Sequence, residues 1–237
     1  QRFETAMMLK QVFSAISPIL KNCGKALDSA GASLEVAKIV ESPVVSTTML
    51  EFKGASPSIA KAFVAPNATV VGSVEIGPGS SVWYGASIRG DVHKIKIGSS
   101  TSVGENVTVH VAKIAGDFPT IVGDQVTVGA NAILHACVVE SQSMIGSGAT
   151  VLDGATVKSN AVVAPGAVVP PGKVVGSGEL WSGTPAKFLR NLTPEEIEGI
   201  SAVAAEMEAS AELHALECGK SYQQIEADLD AFEDSNT

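Results

Sequence analysis

The fold is decided by residues 145–181, which read IGSGATVLDGATVKSNAVVAPGAVVPPGKVVGSGELW. Every sixth position of this stretch is apolar: Ile145, Val151, Val157, Val163, Val169, Val175 and Trp181. One inward β-branched residue in six is typical of a short strand followed by a tight corner. Three such units close a triangular coil, and coils stack with parallel strands about 4.8 Å apart. The period therefore predicts an all-β solenoid, a left-handed parallel β-helix of hexapeptide repeats. It disfavours a β-sandwich, which does not keep a strict period of six.

The same step extends towards the N-terminus and defines a repeat domain at residues 61–190. It passes through Val64, Val70, Ile76, Val82, Ile88, Ile97, Val103, Val109, Val122, Val128 and Leu134. The period slips at residues 91–96, at 113–119, and between Leu134 and Val139. The slip at 113–119 is a seven-residue insertion that predicts an exposed loop. Insertions in solenoids map to loops on one face, which is often the binding face.

Residues 1–60 form a separate segment with an amphipathic helical pattern. Apolar residues recur at spacings of three and four from Leu9 to Leu34, and Ser17-Pro18 interrupts them. This pattern predicts two short α-helices or one kinked helix. Its apolar stripe either packs on the chain's own repeat domain or docks, through residues 1–40, on a partner protein or a lipid surface.

Residues 191–237 also carry helical signals. Thr193-Pro194-Glu195-Glu196 is a capping box with proline at the first helical position, and a second helix is predicted after Gly219. We expect a terminal helix to cover the last coil of the solenoid, because an open end would expose unpaired strand edges.

The net charge of −9 is concentrated in this C-terminal segment. From Thr193 onward there are twelve acidic residues and one base, Lys220, a balance of −11, so residues 1–192 carry +2. Nucleic acid is excluded as a partner, because phosphate binding needs a basic face that this acidic chain lacks.

Cysteine usage indicates a reducing compartment. Cys23, Cys137 and Cys218 lie far apart in the sequence and form no CxxC pair, so they are not a disulfide framework. The chain starts at Gln1 without an initiator methionine, and both a processed form and a trimmed one fit that start.

Two of the four histidines have a spacing that suits a metal site. His110 and His135 follow equivalent apolar positions and lie 25 residues apart, so 18 residues, one full coil, remain without the insertion at 113–119. Two imidazoles stacked one strand apart suit two ligands of one zinc ion. A coincidental surface pair is the alternative reading. His214 is expected to be a surface or packing residue on the C-terminal helix, and His93 stays ambiguous.

Several motifs resemble those of the gamma-class carbonic anhydrase family. They are Val64-Ala65-Pro66-Asn67-Ala68, Ser81-Val82-Trp83-Tyr84-Gly85, Arg89-Gly90-Asp91-Val92, Val109–Lys113, Ile121–Gly129 and Ser182–Phe188. The tail from Leu192 to Glu226 and the amphipathic N-terminal segment resemble the branch found as subunits of mitochondrial respiratory complex I in plants and algae. The resemblance covers nearly all of the chain after residue 60.

The resemblance implies a metal site that is shared between chains. In that family three histidines hold the metal between two subunits of a trimer, and the first and last fall on His110 and His135. The middle ligand falls on Ala130, which cannot bind zinc. A water-orienting glutamine falls on Gly104, which has no side chain, and the acid after it is kept as Glu105.

The resemblance also implies a trimer interface at Arg89 and Asp91, whose bidentate pairing would suit contact between chains. A solvated corner is the alternative for this pair. The chain alone is expected to bind no zinc, whereas a heterotrimer with paralogous carbonic-anhydrase-like subunits could complete the site with a histidine from a neighbour.

These observations favour a structural subunit of complex I on the matrix side of the mitochondrial inner membrane, without activity by itself. The alternative is an active zinc-dependent gamma carbonic anhydrase that hydrates CO2 at a site shared between chains. A hexapeptide acyltransferase shares the fold and is the third hypothesis, because fold alone does not determine function.

Overall fold

The computed structural model describes residues 2–34, 48–112 and 118–235, and the chain divides into two compact units, residues 1–44 and 45–237. The first unit contains α1 (Arg2–Leu34), a single helix of 33 residues with Pro18 inside it. The prediction of two separate short helices is therefore wrong. Large apolar side chains of α1 are exposed, namely Ile16, Ile19, Leu20, Leu27 and Leu34. No helix among the described residues is long and apolar enough to span a membrane.

The second unit is a parallel β-solenoid of short strands. In chain order they are β1 (Met49–Leu50), β2 (Ser58–Ile59), β3 (Phe63–Val64), β4 (Thr69–Ile76), β5 (Ser81–Val82), β6 (Ser87–Ile97), β7 (Ser102–Val103), β8 (Thr108–His110), β9 (Thr120–Val122), β10 (Thr127–Val128), β11 (Ile133–His135), β12 (Val138–Val139), β13 (Met144–Ile145), β14 (Thr150–Val151), β15 (Thr156–Val157), β16 (Val162–Val163), β17 (Val168–Val169), β18 (Val174–Val175), β19 (Glu179–Gly183) and β20 (Ala186–Asn191). Two helices follow, α2 (Pro194–Cys218) and α3 (Tyr222–Ser235).

The strands form three faces. Face one stacks β8, β11, β14 and β17, and face two stacks β9, β12, β15 and β18. The long strands β4 and β6 turn the corner between these two faces, and the period slips at residues 91–96 because β6 has three extra residues between Gly90 and Ile95, where its register with β4 shifts. Face three stacks β3, β5, β7, β10, β13, β16, β19 and β20.

The core is the column of residues that the six-residue period picks out. From Val70 to Val175 these side chains are at most 2 % exposed. Only the two ends of the column, Val64 and Trp181, are half-buried, because an end coil has a neighbour on one side. Burying a valine or isoleucine contributes roughly 1.5–3 kcal/mol, so this column is the main source of stability, as the sequence predicts.

The slip between Leu134 and Val139 has a local cause. Ala136 has a φ of 47°, a left-handed conformation that non-glycine residues rarely adopt, and its side chain is buried. This corner turns one residue earlier than the others. The slip at 113–119 falls mostly outside the described residues, which exclude 113–117.

The expectation that a terminal helix covers the last coil is wrong. The helix α2 contacts β3, β5, β7 and β10, so it runs back along face three towards the first coils. Its side chains Ile200, Ala204 and Ala211 are buried there. The solenoid ends instead in an antiparallel hairpin of β19 and β20.

The predicted capping box at the start of α2 is present. The Thr193 hydroxyl accepts a hydrogen bond from the Glu196 N–H, and the Glu196 carboxylate accepts one from the Thr193 N–H at 2.9 Å. Arg190 donates two further hydrogen bonds to Glu196, at 2.7 and 2.8 Å. These contacts fix the point where α2 begins, and so they set how it lies along face three.

Candidate metal site

The structure places His110 and His135 directly opposite one another on the outer side of face one. The strands β8 and β11 pair in parallel, and the register joins Thr108 to Ile133 and His110 to His135. The imidazole centroids are 5.3 Å apart, with an angle of 49° between the ring planes. The 18-residue coil that the sequence predicts therefore brings both rings to one spot.

Each imidazole is held by a carboxylate. Asp91 Oδ1 lies 2.9 Å from His110 Nε2, and Asp153 Oδ1 lies 2.5 Å from His135 Nδ1. A carboxylate accepts, so each of these nitrogens carries the hydrogen and donates it. The tautomers assigned from these bonds leave the lone pairs on His110 Nδ1 and His135 Nε2.

The two lone-pair nitrogens face each other at 3.4 Å. Two nitrogens bound to one tetrahedral Zn²⁺ at about 2.0–2.1 Å would be about 3.3 Å apart. Histidine ligands usually donate their second N–H to a carboxylate, which fixes ring orientation and raises ligand basicity. The pair His110 and His135 thus has the spacing, the tautomers and the supporting carboxylates of two metal ligands.

The chain supplies no third ligand at this place. No group of three or more His, Cys, Asp or Glu that could hold a metal occurs in the parts of the chain that the structure describes. Ala130 lies at the corner before β11 and carries no donor atom. Cys137 is buried in the core, and burial raises the pKa of its thiol to about 12. Within one chain the donor set is therefore half of a zinc site, and it supports no metal-dependent chemical step.

Asp91 is closer to His110 than to Arg89, its predicted interface partner. The Arg89 Nε to Asp91 Oδ2 distance is 4.0 Å, and the Arg89 side chain is half-exposed. Burial raises the pKa of Asp91, but the hydrogen bond from His110 and the positive charge of Arg89 outweigh it, so the net pKa is lowered. Asp91 thus acts within the chain as the orienting partner of His110.

Asp153 did not emerge from the sequence motifs. The repeat count alone does not single it out, because the one-residue slip after Leu134 makes this coil 17 residues long, whereas Asp153 lies 18 residues after His135. The register of face one pairs Leu134 with Val151 and so places Leu152 level with His135; Asp153 lies one residue beyond, at the following corner, and reaches His135 from there.

Gly104 occupies a corner that leaves no space for a side chain. A Cβ atom at this position would lie 2.7 Å from the Val128 carbonyl oxygen and 2.9 Å from the Ala130 nitrogen. Both are backbone atoms, so a glutamine here would require the neighbouring coil to move. Glu105 at the same corner is exposed.

The other two histidines lie apart from this pair. His214 packs from α2 against Trp83, with ring centroids 5.0 Å apart, and its Nδ1 lies 3.0 Å from the Tyr84 hydroxyl. It is a packing residue, one of the two expected roles. His93 Nδ1 accepts a hydrogen bond from the Lys94 N–H at 2.7 Å.

The chain is similar to mitochondrial gamma carbonic anhydrases. The chain is 45% identical over 214 residues to gamma carbonic anhydrase 2, mitochondrial, of Arabidopsis thaliana, which covers 88% of this chain and 77% of that protein. It is 52% identical over 138 residues to gamma carbonic anhydrase-like 1, mitochondrial, of the same plant, covering 57% of this chain and 55% of that protein.

Among solved structures, the chain is similar to a hexapeptide transferase family protein of Anaplasma phagocytophilum. The two are 40% identical, with a TM-score of 0.67 over 70% of this chain and 96% of that one. No family model matches the chain. The extent of the identity to the mitochondrial carbonic anhydrases is decisive, and the chain belongs to the gamma carbonic anhydrase family.

Proposed function

We propose that this protein is a gamma-carbonic-anhydrase-like subunit of mitochondrial complex I with a structural or assembly role and no activity on its own. The proposal that the chain has no activity on its own rests on its incomplete set of metal ligands. His110 and His135 are oriented as two ligands, 3.4 Å apart, and Ala130 offers no third. A catalytic zinc site usually needs three protein ligands and a water molecule.

The proposed assembly is a heterotrimer with paralogous carbonic-anhydrase-like subunits. A neighbour that keeps its middle histidine would add the third nitrogen to His110 and His135. Zinc would then sit between chains, polarising a bound water. Asp91 and Asp153 would hold the two imidazoles in the tautomers that leave their lone pairs towards the ion.

The proposed location is the matrix side of the inner mitochondrial membrane. The names of the Arabidopsis relatives include the word mitochondrial, and the complex I assignment rests on the resemblance of the tail and of the N-terminal segment. Residues 1–40 would dock the trimer on the membrane arm, through protein or lipid contact. In support, α1 presents exposed Leu20, Leu27 and Leu34 at intervals of seven residues.

The ligand count is tested by restoring the missing histidine. Ala130→His in the purified chain should raise zinc content in trimers, because it supplies a third nitrogen. Asn131→His is the matched control, since it places a histidine at the next residue of the same corner, where the side chain is exposed. Equal zinc content in both variants and in the wild type would show that position 130 does not face the His110–His135 pair in the assembly.

The docking role is tested by deleting residues 1–40. The second unit has its own core, so thermal unfolding of the solenoid should be nearly unchanged while co-purification with complex I is lost. A large fall in melting temperature with co-purification retained would show instead that α1 belongs to the core of the solenoid.

The alternative function is an active carbonic anhydrase with its site shared between chains. The specific observation in its favour is the 3.4 Å separation of the two lone-pair nitrogens, which suits a bound metal. It is distinguished by CO2 hydration in the intact native assembly that His110→Ala abolishes.

A further inference from the structure

The apolar stripe of α1 repeats every seven residues over four heptads. Each heptad has an apolar residue at its first position, called a, and at its fourth position, called d. The a positions are Ala6, Phe13, Leu20, Leu27 and Leu34, and the d positions are Leu9, Ile16, Cys23 and Ala30. We call these nine residues the α1 seam. An unbroken a/d pattern of this length is typical of a coiled coil.

The period of the α1 seam indicates the shape of the surface that it fits. A straight α-helix has 3.6 residues per turn, so a stripe that repeats every seven residues drifts around it by about 20° per heptad and by about 80° over four heptads. A straight partner, such as a lipid surface or a face of a solenoid, would be matched by a stripe with a period of 3.6 residues. A stripe with a period of 3.5 residues stays in contact with a second helix that winds around the first in a left-handed supercoil.

The second half of the α1 seam is exposed and carries no charge. Leu27 and Leu34 are 74% and 80% exposed. The charged residues of this half, Lys21, Lys25 and Asp28, occupy heptad positions outside the seam. A second α1 can therefore approach seam to seam without bringing like charges together.

Two glycines beside the α1 seam leave room for a neighbouring helix. Gly24 and Gly31 are seven residues apart, and each directly follows a d position. A Cβ atom at either glycine would meet nothing within 4 Å, so the contacts of α1 within the chain do not require glycine there, although glycine disfavours a helix. In a coiled coil these positions flank the contact with the partner, where missing side chains let two backbones approach. Pro18 occupies the heptad position farthest from the seam.

The α1 seam is large enough for a specific contact between two copies of the chain. Its six large side chains are those of Leu, Ile and Phe, and in a pair of helices they would remove roughly 700–1,400 Å² of surface from water. This area overlaps the range of specific protein interfaces, about 1,200–2,000 Å². The positions that flank the second half of the seam are uncharged, so no charge there selects against a second copy; they are Gly24, Ala26, Gly31 and Ser33.

We propose that α1 pairs through its seam with the α1 of a second copy of this chain, in a parallel, left-handed coiled coil. The helices run parallel because both lead, after Leu34, into solenoids that the proposed trimer holds side by side. In this register Cys23, at a d position, faces Cys23 of the second copy. The pairing rests on the proposed docking role of residues 1–40 and deepens it, because two wound helices, with Lys21 and Lys25 on the outer side, would then meet the membrane arm.

The register is tested by cross-linking the full chain at Cys23. The background is Cys218→Ser, which removes the other exposed thiol, since Cys137 is buried. Diamide accepts the two hydrogens of a pair of thiols, and it should convert this protein rapidly to a disulfide-linked dimer. The matched control adds Cys23→Ser and Ser29→Cys, which moves the thiol to an exposed position outside the seam, and it should cross-link at least tenfold more slowly. Equal rates, or no dimer through Cys23, overturn the proposal.

The seam itself is tested by placing a charge in it. In the Cys218→Ser background, Leu27→Asp should slow cross-linking at Cys23 at least tenfold, because a buried carboxylate opposes pairing, whereas Ser29→Asp should leave the rate unchanged. Leu27 is exposed within the chain, so the melting temperature of the solenoid should not change. If both variants cross-link alike and only Leu27→Asp loses binding to phosphatidylglycerol vesicles, the seam binds lipid and the pairing is overturned. Neither test contains complex I, so a chain that co-purifies with complex I through residues 1–40 without cross-linking at Cys23 would keep the docking role and overturn the pairing alone.

Discussion

The corner at Gly104 should reject even a single methyl group. In Gly104→Ala the new Cβ atom would lie 2.7 Å from the Val128 carbonyl oxygen and 2.9 Å from the Ala130 nitrogen. Ordinary van der Waals contact begins near 3.4 Å, so the neighbouring coil must move by about 0.7 Å or the site stays strained. Overpacking of this kind costs about 1–3 kcal/mol, which should lower the melting temperature by about 2–12 °C.

The assay is thermal unfolding followed by circular dichroism, with Gly199→Ala as the matched control. Nothing lies within 4 Å of a Cβ atom at Gly199, which is inside α2. The same substitution should therefore stabilise the protein there by up to about 1 kcal/mol, through helix propensity alone. A Gly104→Ala protein that melts at or above the wild-type temperature would refute the argument that the coil spacing at this corner excludes a side chain.

Three further predictions concern the cap of α2, the zinc ligands and the interface. The hydrogen bonds from Arg190 and from the backbone of Thr193 lower the pKa of Glu196 to about 2. The stability that this carboxylate gives to the start of α2 should therefore be complete above about pH 4.3 and be lost as the pH falls towards 2. A Glu196 pKa near 4.3 in an NMR titration would contradict this. In an Ala130→His background, Asp153→Ala should lower zinc affinity about 10–100-fold, and unchanged affinity in a metal titration would rule out its orienting role. If Arg89 and Asp91 pair between chains and are desolvated there, Arg89→Ala should weaken trimer association by roughly 3–5 kcal/mol. Sedimentation at dilute concentration should then show monomers in place of trimers. An unchanged oligomer would favour the alternative in which this pair lies at a solvated corner.

The repeat was predictable because one local rule governs it. Each coil buries the same position of its hexapeptide, so a count by six identifies nearly all of the buried column from Val70 to Val175. The stacking of His110 on His135 follows from the same count once the insertion is subtracted.

The placement of the helices was less predictable. An apolar stripe on α2 shows that the helix packs, but the open end of the solenoid and the outer side of face three could both receive it. Ser81 and Ser102 on face three are buried, so small polar side chains lie beneath α2. A search for apolar residues in the sequence does not identify a helix-binding surface that contains such polar side chains. Similarly, Pro18 suggests a break because it lacks an N–H, yet α1 continues through it.

The site was predictable only in part for a related reason. The resemblance assigned Asp91 to pairing with Arg89 between chains, which stays a prediction, and its contact within the chain, with His110 19 residues away, was not among the predicted contacts. The lack of space for a side chain at Gly104 depends on the distance to the backbone of the neighbouring coil. That distance cannot be read from the sequence of a single hexapeptide.

The measurement that tests the central claim most directly is the zinc content of the purified wild-type chain, compared with His110→Ala. Because the described residues supply two nitrogens and no third ligand at this place, both proteins should hold far less than one zinc per chain after dialysis, and their CO2 hydration rates should be equal. One tightly held zinc per wild-type chain, absent from His110→Ala and accompanied by faster hydration, would contradict the account and establish a complete site.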